Sequence, residues 1–197
     1  NNWQQLIIIT EKAYSKKIIH KKLYKENKSI AFYEIAKIKQ LSEINEASSY
    51  IQKSLKLREN FSPYANLYSQ ILIGEKKFLA AKKFLKKTWI YNSHPELKPS
   101  IIKLAEDSKE KILVVAQYIV GSNNNEDSTK LLVEALILDK KWDEARNKLK
   151  TLLDVRPKKE VCLLMAKIEE GENNNFQKIN SWQVRSEKGA ENNIWIC

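Results

Sequence analysis

Glycine and proline are scarce in this chain, at 4 Gly and 4 Pro among 197 residues, where average usage would supply roughly 24 of the two together. Sandwiches and barrels of many short strands spend those residues on turns, so an all-β fold is excluded. Cysteine is scarcer still. Cys162 and Cys197 are the only two, which excludes a disulfide scaffold. Long apolar runs are missing too. The longest, Ile112–Val120, holds nine residues including a glutamine, against about 20 needed to span a bilayer. The N-terminus carries no signal-peptide pattern. It begins at Asn1 rather than Met, so the chain reads as a fragment or a processed product.

Arginine is the fourth shortage. Of 35 basic residues 31 are Lys, and only Arg58, Arg146, Arg156 and Arg185 are Arg. Against 24 acids the net charge is +11, and the accompanying excess of Ile and Asn marks an AT-rich coding sequence as one source of it. The charge is unevenly spread. Residues 1–39 carry nine Lys and three acids, residues 75–87 carry six Lys and one acid, and the remainder balances at 20 of each. Few arginines and no aromatic stacking motif disfavour nucleic acid as the partner. Apolar residues at 43% exclude a disordered tail.

What is present is helical spacing. Ile30, Tyr33 and Ile38 share one face of residues 29–40, and Leu131, Leu132, Ala135, Leu136 and Leu138 form a wide stripe in 129–138. Breaks are expected at Gly74, at Gly121 before three asparagines, at Pro157 and at Gly171 before three more. Just after each joint a large apolar residue is followed, three positions on, by a small or β-branched one. The instances are Ile44/Ala47, Phe78/Ala81, Ile112/Val115, Trp142/Ala145 and Phe176/Ile179, at intervals of 34, 34, 30 and 34. One step back from Ala47 lies Ala13, in a helical stretch expected over 10–24. A 34-residue helix–turn–helix period is the tetratricopeptide (TPR) length. The expected fold is therefore all-α, a right-handed solenoid of antiparallel helix pairs in a single domain over 1–197. A partial repeat covers 1–27, and repeats follow at about 28–61, 62–95, 96–125, 126–157 and 158–190. The repeat over 63–93 fits best, with Ser69 at the small position of its first helix and Leu72 on the buried face. The fourth is shortened.

Several residues outside that pattern resemble a known family. Trp89-x-x-x-x-His94-Pro95-Glu96-Leu97, Lys141-Trp142-Asp143-Glu144-Ala145-Arg146, Cys162-Leu163-Leu164-Met165-Ala166-x-Ile168-Glu169 and Ile194-Trp195-Ile196-Cys197 are similar to the C-terminal TPR region of HemY-like proteins. The resemblance covers roughly residues 29–197 and departs at Ser181-Trp182-Gln183-Val184-Arg185, where the family is richer in Ala and Leu. It implies the soluble region of a bacterial inner-membrane protein associated with haem biosynthesis. It also implies a missing N-terminal anchor and an array on the periplasmic side.

Candidate chemistry is thin. His94, followed by Pro95 and Glu96, reads as a helix start. Cys162 lies on an apolar helix face and reads as core, as do Trp89 and Trp142. Two distant His and two Cys give no metal set. No Cys-x-x-Cys-His haem attachment motif occurs, and the expectation is no cofactor, with haem ligation by His20, His94 or Met165 as the alternative. Repeat geometry places Asn66, Gln70, Lys130 and Glu134 on the groove-facing side of the first helices. Lys76, Lys82, Lys83, Lys86 and Lys87 group on one arc as a basic patch for anionic lipid or an acidic partner. The reading is a non-enzymatic scaffold that holds a protein or peptide partner at the inner membrane. The alternatives are an accessory protein that handles haem or porphyrin directly, and a basic helical protein binding membrane surfaces or nucleic acid.

Overall fold

The structure, a computed structural model, describes residues 2–153 and 157–189. Cys197, the 194–197 segment of the family resemblance and Arg156 lie outside the described residues. Within them the α-helices are α1 (Trp3–Ser15), α2 (Lys21–Lys39), α3 (Ile44–Leu57), α4 (Ser62–Gly74), α5 (Phe78–Tyr91), α6 (Lys98–Ser108), α7 (Ile112–Val120), α8 (Glu126–Leu138), α9 (Trp142–Lys150), α10 (Lys159–Asn173) and α11 (Phe176–Glu187), with a 3-10 turn at Pro95–Leu97. The fold is all-α. Two compact units divide it, Asn1–Lys109 and Glu110–Cys197, whereas the sequence reads as one array. The division falls between α6 and α7, inside the shortened fourth repeat.

Buried side chains recur at helical spacing. In α3 they are Ala47, Ile51 and Ser54, and in α5 Ala81, Leu85, Thr88 and Trp89. Each set is one stripe facing a neighbouring helix. The first helices α4 and α8 are buried on a broader arc, because helices pack on more than one side of each. Ala47, Ala81, Val115 and Ala145 are all fully buried, as a small residue must be where two helix backbones approach closely. Hydrogen bonds that link repeats span about one period. The Ser29 hydroxyl meets the Tyr64 hydroxyl at 3.1 Å, Ser100 Oγ donates to the Asn66 side chain, and Lys158 Nζ donates to Glu126 Oε2 at 2.8 Å. The sequence separations are 35, 34 and 32 residues. Helix pairs repeated at this interval and tied to the next pair are a TPR-like arrangement.

The joints explain the shortage of glycine. Lys17, Lys76, Lys109, Lys140, Asn60 and Asn174 adopt left-handed backbone with φ between 48° and 59°, positions that glycine more often fills. At Lys76 the amide bonds the Ile73 carbonyl and the Lys77 amide bonds the Leu72 carbonyl, both at 2.9 Å. Lys17 and Lys140 repeat this Schellman pattern. Lys17 therefore interrupts the helix expected over 10–24, and His20 starts the next one by accepting a bond from the Leu23 amide on Nδ1.

Gly171 is not the break expected of it, since α10 continues through it to Asn173. Its role is space: the Trp142 ring occupies the position of a β-carbon there. Gly74 closes α4, with Ile44 Cδ1 3.5 Å from where its β-carbon would be. In both cases the large residue opening one repeat's second helix meets a glycine late in the next repeat's first helix. Phe176, at the same repeat position as Ile44 and Trp142, is 79% exposed. Among the described residues no following repeat covers it.

Candidate functional site

Asn66 and Gln70 belong to the first unit, Lys130 and Glu134 to the second. Asn66 is half-buried on α4, and its carbonyl oxygens accept from Ser100, so it ties α4 to α6. Gln70, one helical turn on, is half-buried and lines an open groove of about 430 Å³. Gln40 and Leu41 from the α2–α3 joint, Ile44 of α3 and Lys103 of α6 share that lining. Leu41 is 95% exposed. Three successive repeats thus contribute to one surface. The sequence pattern names Gln70 but neither Leu41 nor Lys103 among these lining residues, and Leu41 sits in a joint outside helical phase.

Tyr33 and Glu34 on α2 and Glu96 in the 3-10 turn belong to the same unit. Burial pushes the Tyr33 phenol up, and the carboxylates of Glu34 and Glu96 reinforce it. Burial also raises the Glu96 carboxyl. His94 caps that turn as expected, its Nδ1 accepting from the Glu96 amide at 3.2 Å. The accepting nitrogen must be unprotonated.

Lys130 is not an open groove residue. It is 4% exposed, and its ammonium contacts Asp127 at 2.9 Å, Glu126 at 3.2 Å and Glu160 at 2.8 Å. Burial disfavours the ammonium, yet the hydrogen bonds to Glu160 and Asp127 outweigh it and raise its pKa above the usual lysine range. Burial likewise works against the Glu126 carboxylate, but hydrogen bonds from Lys158 and Lys130 win and hold it below the usual carboxylate range. Two of Lys130's partners, at positions −4 and −3, are legible as helical neighbours. Glu160 is 30 residues away and has no signature. Glu134 is half-buried on the same helix. A second cluster joins Arg146 of α9 to Glu169 and Glu172 of α10, with Lys178 of α11 3.8 Å from Glu169. These charges serve packing between helices.

The basic arc is corrected at one residue. Lys76 lies in the left-handed joint before α5, so the helical phase that grouped it with the others does not apply. Lys82, Lys83, Lys86 and Lys87 are on α5, the first and third half-buried and the other two exposed. Cys162 is fully buried and unpaired among the described residues, and burial pushes its thiol up. Trp89 is fully buried and Trp142 half-buried against the core of the second unit. Among the described residues no cluster of His, Cys, Asp and Glu could hold a metal, and no helix is long and apolar enough to cross a membrane.

No family model matches the chain, and no curated protein does. Among solved structures, the chain is similar to a crystal structure of YrrB, described as a TPR protein with an unusual peptide-binding site. The identity is 16% and the TM-score 0.41, over 80% of this chain and 84% of that one. It is also similar to PilF of Pseudomonas aeruginosa, at 12% identity and a TM-score of 0.42, over 93% of this chain and 89% of that one.

Proposed function

We propose that this chain is a non-enzymatic interaction module that holds a polypeptide partner against the first-helix side of its N-terminal unit. The observation that supports it is the open groove beside Gln70, to which three successive repeats contribute. Exposed Leu41 and neighbouring Ile44 offer apolar surface to a partner side chain. The Gln70 amide both donates and accepts, as a peptide backbone requires. Lys103, 54% exposed and 3.8 Å from Asp107, adds a cation at the edge. Crosslinking in the native membrane, followed by mass spectrometry, identifies the partners. Leu41→Asp with Gln70→Ala removes them. If the double variant captures the same partners in the same amounts as the parent chain, the groove assignment fails.

The resemblance of residues 29–197 to HemY-like proteins supports a narrower proposal. In it the chain is the soluble, periplasmic region of an inner-membrane protein associated with haem biosynthesis, and it carries no resident cofactor. Topology reporters fused to the full-length protein test the address. Titration of the purified chain with haem and porphyrins tests the accessory alternative, in which a saturable spectral shift is expected. A flat titration removes direct tetrapyrrole binding by this region.

A further inference from the structure

The second-helix side of the N-terminal unit holds a recess distinct from the groove. It lies between α3, the start of α4 and α5, with a volume of about 340 Å³, at the small end of the range of about 300–1,000 Å³ for organic-ligand pockets. Ala65 and Thr88, both buried, form its floor. Phe84 and Tyr91 wall it, and Lys56 and Lys87 stand at its rim with Glu59. One wall and the end of α5 are fixed in advance, while Tyr91 stands 67% exposed. Phe84 packs edge-on against Tyr68 at 4.9 Å, and Asn92 Nδ2 donates to the Asn60 carbonyl at 3.0 Å and to Ser62 Oγ at 3.1 Å. These bonds tie the end of α5 to the α3–α4 joint.

The rim of this recess is predominantly basic. Helix α5 carries four Lys and no acid, and the second half of α3 carries Lys53 and Lys56 and no acid. Lys56, Lys83 and Lys87 make no ion pair among the described residues, whereas Lys28, Lys37 and Lys39 of α2 are each matched by a glutamate. Glu59 is the single acid on the rim. Lysines standing over a hollow that offers both aromatic and polar surface complement a ligand with one apolar group among carboxylates. A lipid surface supplies anions in a plane and has no use for a recess walled by half-buried Phe84 and exposed Tyr91.

We propose that this recess docks an acidic polypeptide segment, one apolar side chain entering between Phe84 and Tyr91 while flanking carboxylates meet Lys56 and Lys87. The site is separate from the Gln70 groove and does not depend on it. The probe is a fluorescein-labelled peptide with a central Leu between runs of Asp and Glu, titrated with the full chain and followed by anisotropy. Saturable binding is expected at 50 mM salt and should weaken several-fold at 300 mM. Lys56→Glu with Lys87→Glu, both at exposed positions, should weaken it about tenfold or more with an unchanged helical circular dichroism spectrum. A Ser in place of the peptide's Leu should weaken it several-fold, and Leu41→Asp with Gln70→Ala should leave it unchanged. No saturable binding, equal binding by the charge-reversed variant, or equal binding of the Ser peptide overturns the proposal. So does loss of binding in the groove variant. Vesicles containing phosphatidylserine form the last arm: binding to them that the peptide does not compete away assigns the lysines to a membrane surface instead.

Discussion

The indole of Trp142 stands where a β-carbon on Gly171 would be, with Cζ3 2.6 Å and Cζ2 2.8 Å from that point. The two residues open and close the same interface between α9 and α10, and the aromatic fits only because the facing residue has no side chain. A glycine inside a helix costs up to about 1 kcal/mol against alanine, and Gly171 lies in the last turn of α10, so the gain from seating the ring offsets a cost of at most that size.

Gly171→Ala is therefore expected to destabilise the chain by about 1–3 kcal/mol, since a rigid ring cannot yield as a flexible chain end does. On a Trp142→Leu background the obstacle is gone and helix propensity is left, so the same change should become neutral or stabilising. Urea unfolding of the four variants of this cycle measures the coupling. Equal costs for Gly171→Ala on both backgrounds would show that the close approach has no energetic weight.

Lys130→Met should destabilise by about 3 kcal/mol, because it removes the buried cation that Glu126, Asp127 and Glu160 share, although Glu126 keeps Lys158. The network also sets a pH window. The Glu126 carboxyl is held below its ordinary 4.5, so its stabilisation is present above pH 4.5 and is lost as pH falls through the lower folded value. Lys130 is raised above its ordinary 10.5, so its share is present below that pH and lost only at higher alkalinity. Melting temperature followed from pH 7 to pH 2 should fall more steeply in the parent chain than in Lys130→Met. Matching acid slopes would refute the role given to this cluster.

Replacing the left-handed lysines by glycine should stabilise. A non-glycine residue in this backbone region costs about 1–2 kcal/mol, partly offset by the entropy glycine loses on folding. Lys76→Gly and Lys140→Gly should each add about 0.5–1 kcal/mol, while Lys140→Val should subtract more than that, β-branching being worse still at positive φ. A thermal-melt series at the two positions checks the order Gly, Lys, Val, and any other order contradicts it.

Cys162 should resist thiol reagents in the folded chain. It is fully buried, and burial pushes its thiol up, which lowers the thiolate fraction that reacts. On a Cys197→Ser background, a disulfide reagent should modify it only as denaturant unfolds the chain. Fast labelling under native conditions would place it elsewhere than the core.

Helices and their period are legible in the sequence because both are local or repetitive properties. Stripes such as Ala81, Leu85, Thr88 and Trp89 recur at helical spacing, and small residues at Ala47, Ala81 and Ala145 mark where helices cross. Joint chemistry was read less well, since lysine can take a backbone conformation usually left to glycine and nothing nearby announces it. Gly171 was misread for the converse reason. A glycine needed for space carries the same letter as a glycine needed for a turn, and Trp142 lies 29 positions away.

The groove side was partly legible. Gln70 is in phase with its helix, but Leu41 belongs to a joint, and Lys130 is placed in the groove by phase while its charge is spent on three acids. The sequence by itself determined an all-helical, repeated chain with its excess charge confined to two stretches. Only the tertiary structure decided which of those charges are matched and which stand open, and that the shortened repeat divides the chain into two compact units. The physical reason is range. Helix formation depends on residues three and four apart, whereas the pairing of Lys130 with Glu160, the seat of Trp142 on Gly171 and the recess between Lys56 and Lys87 each join residues about one full repeat apart.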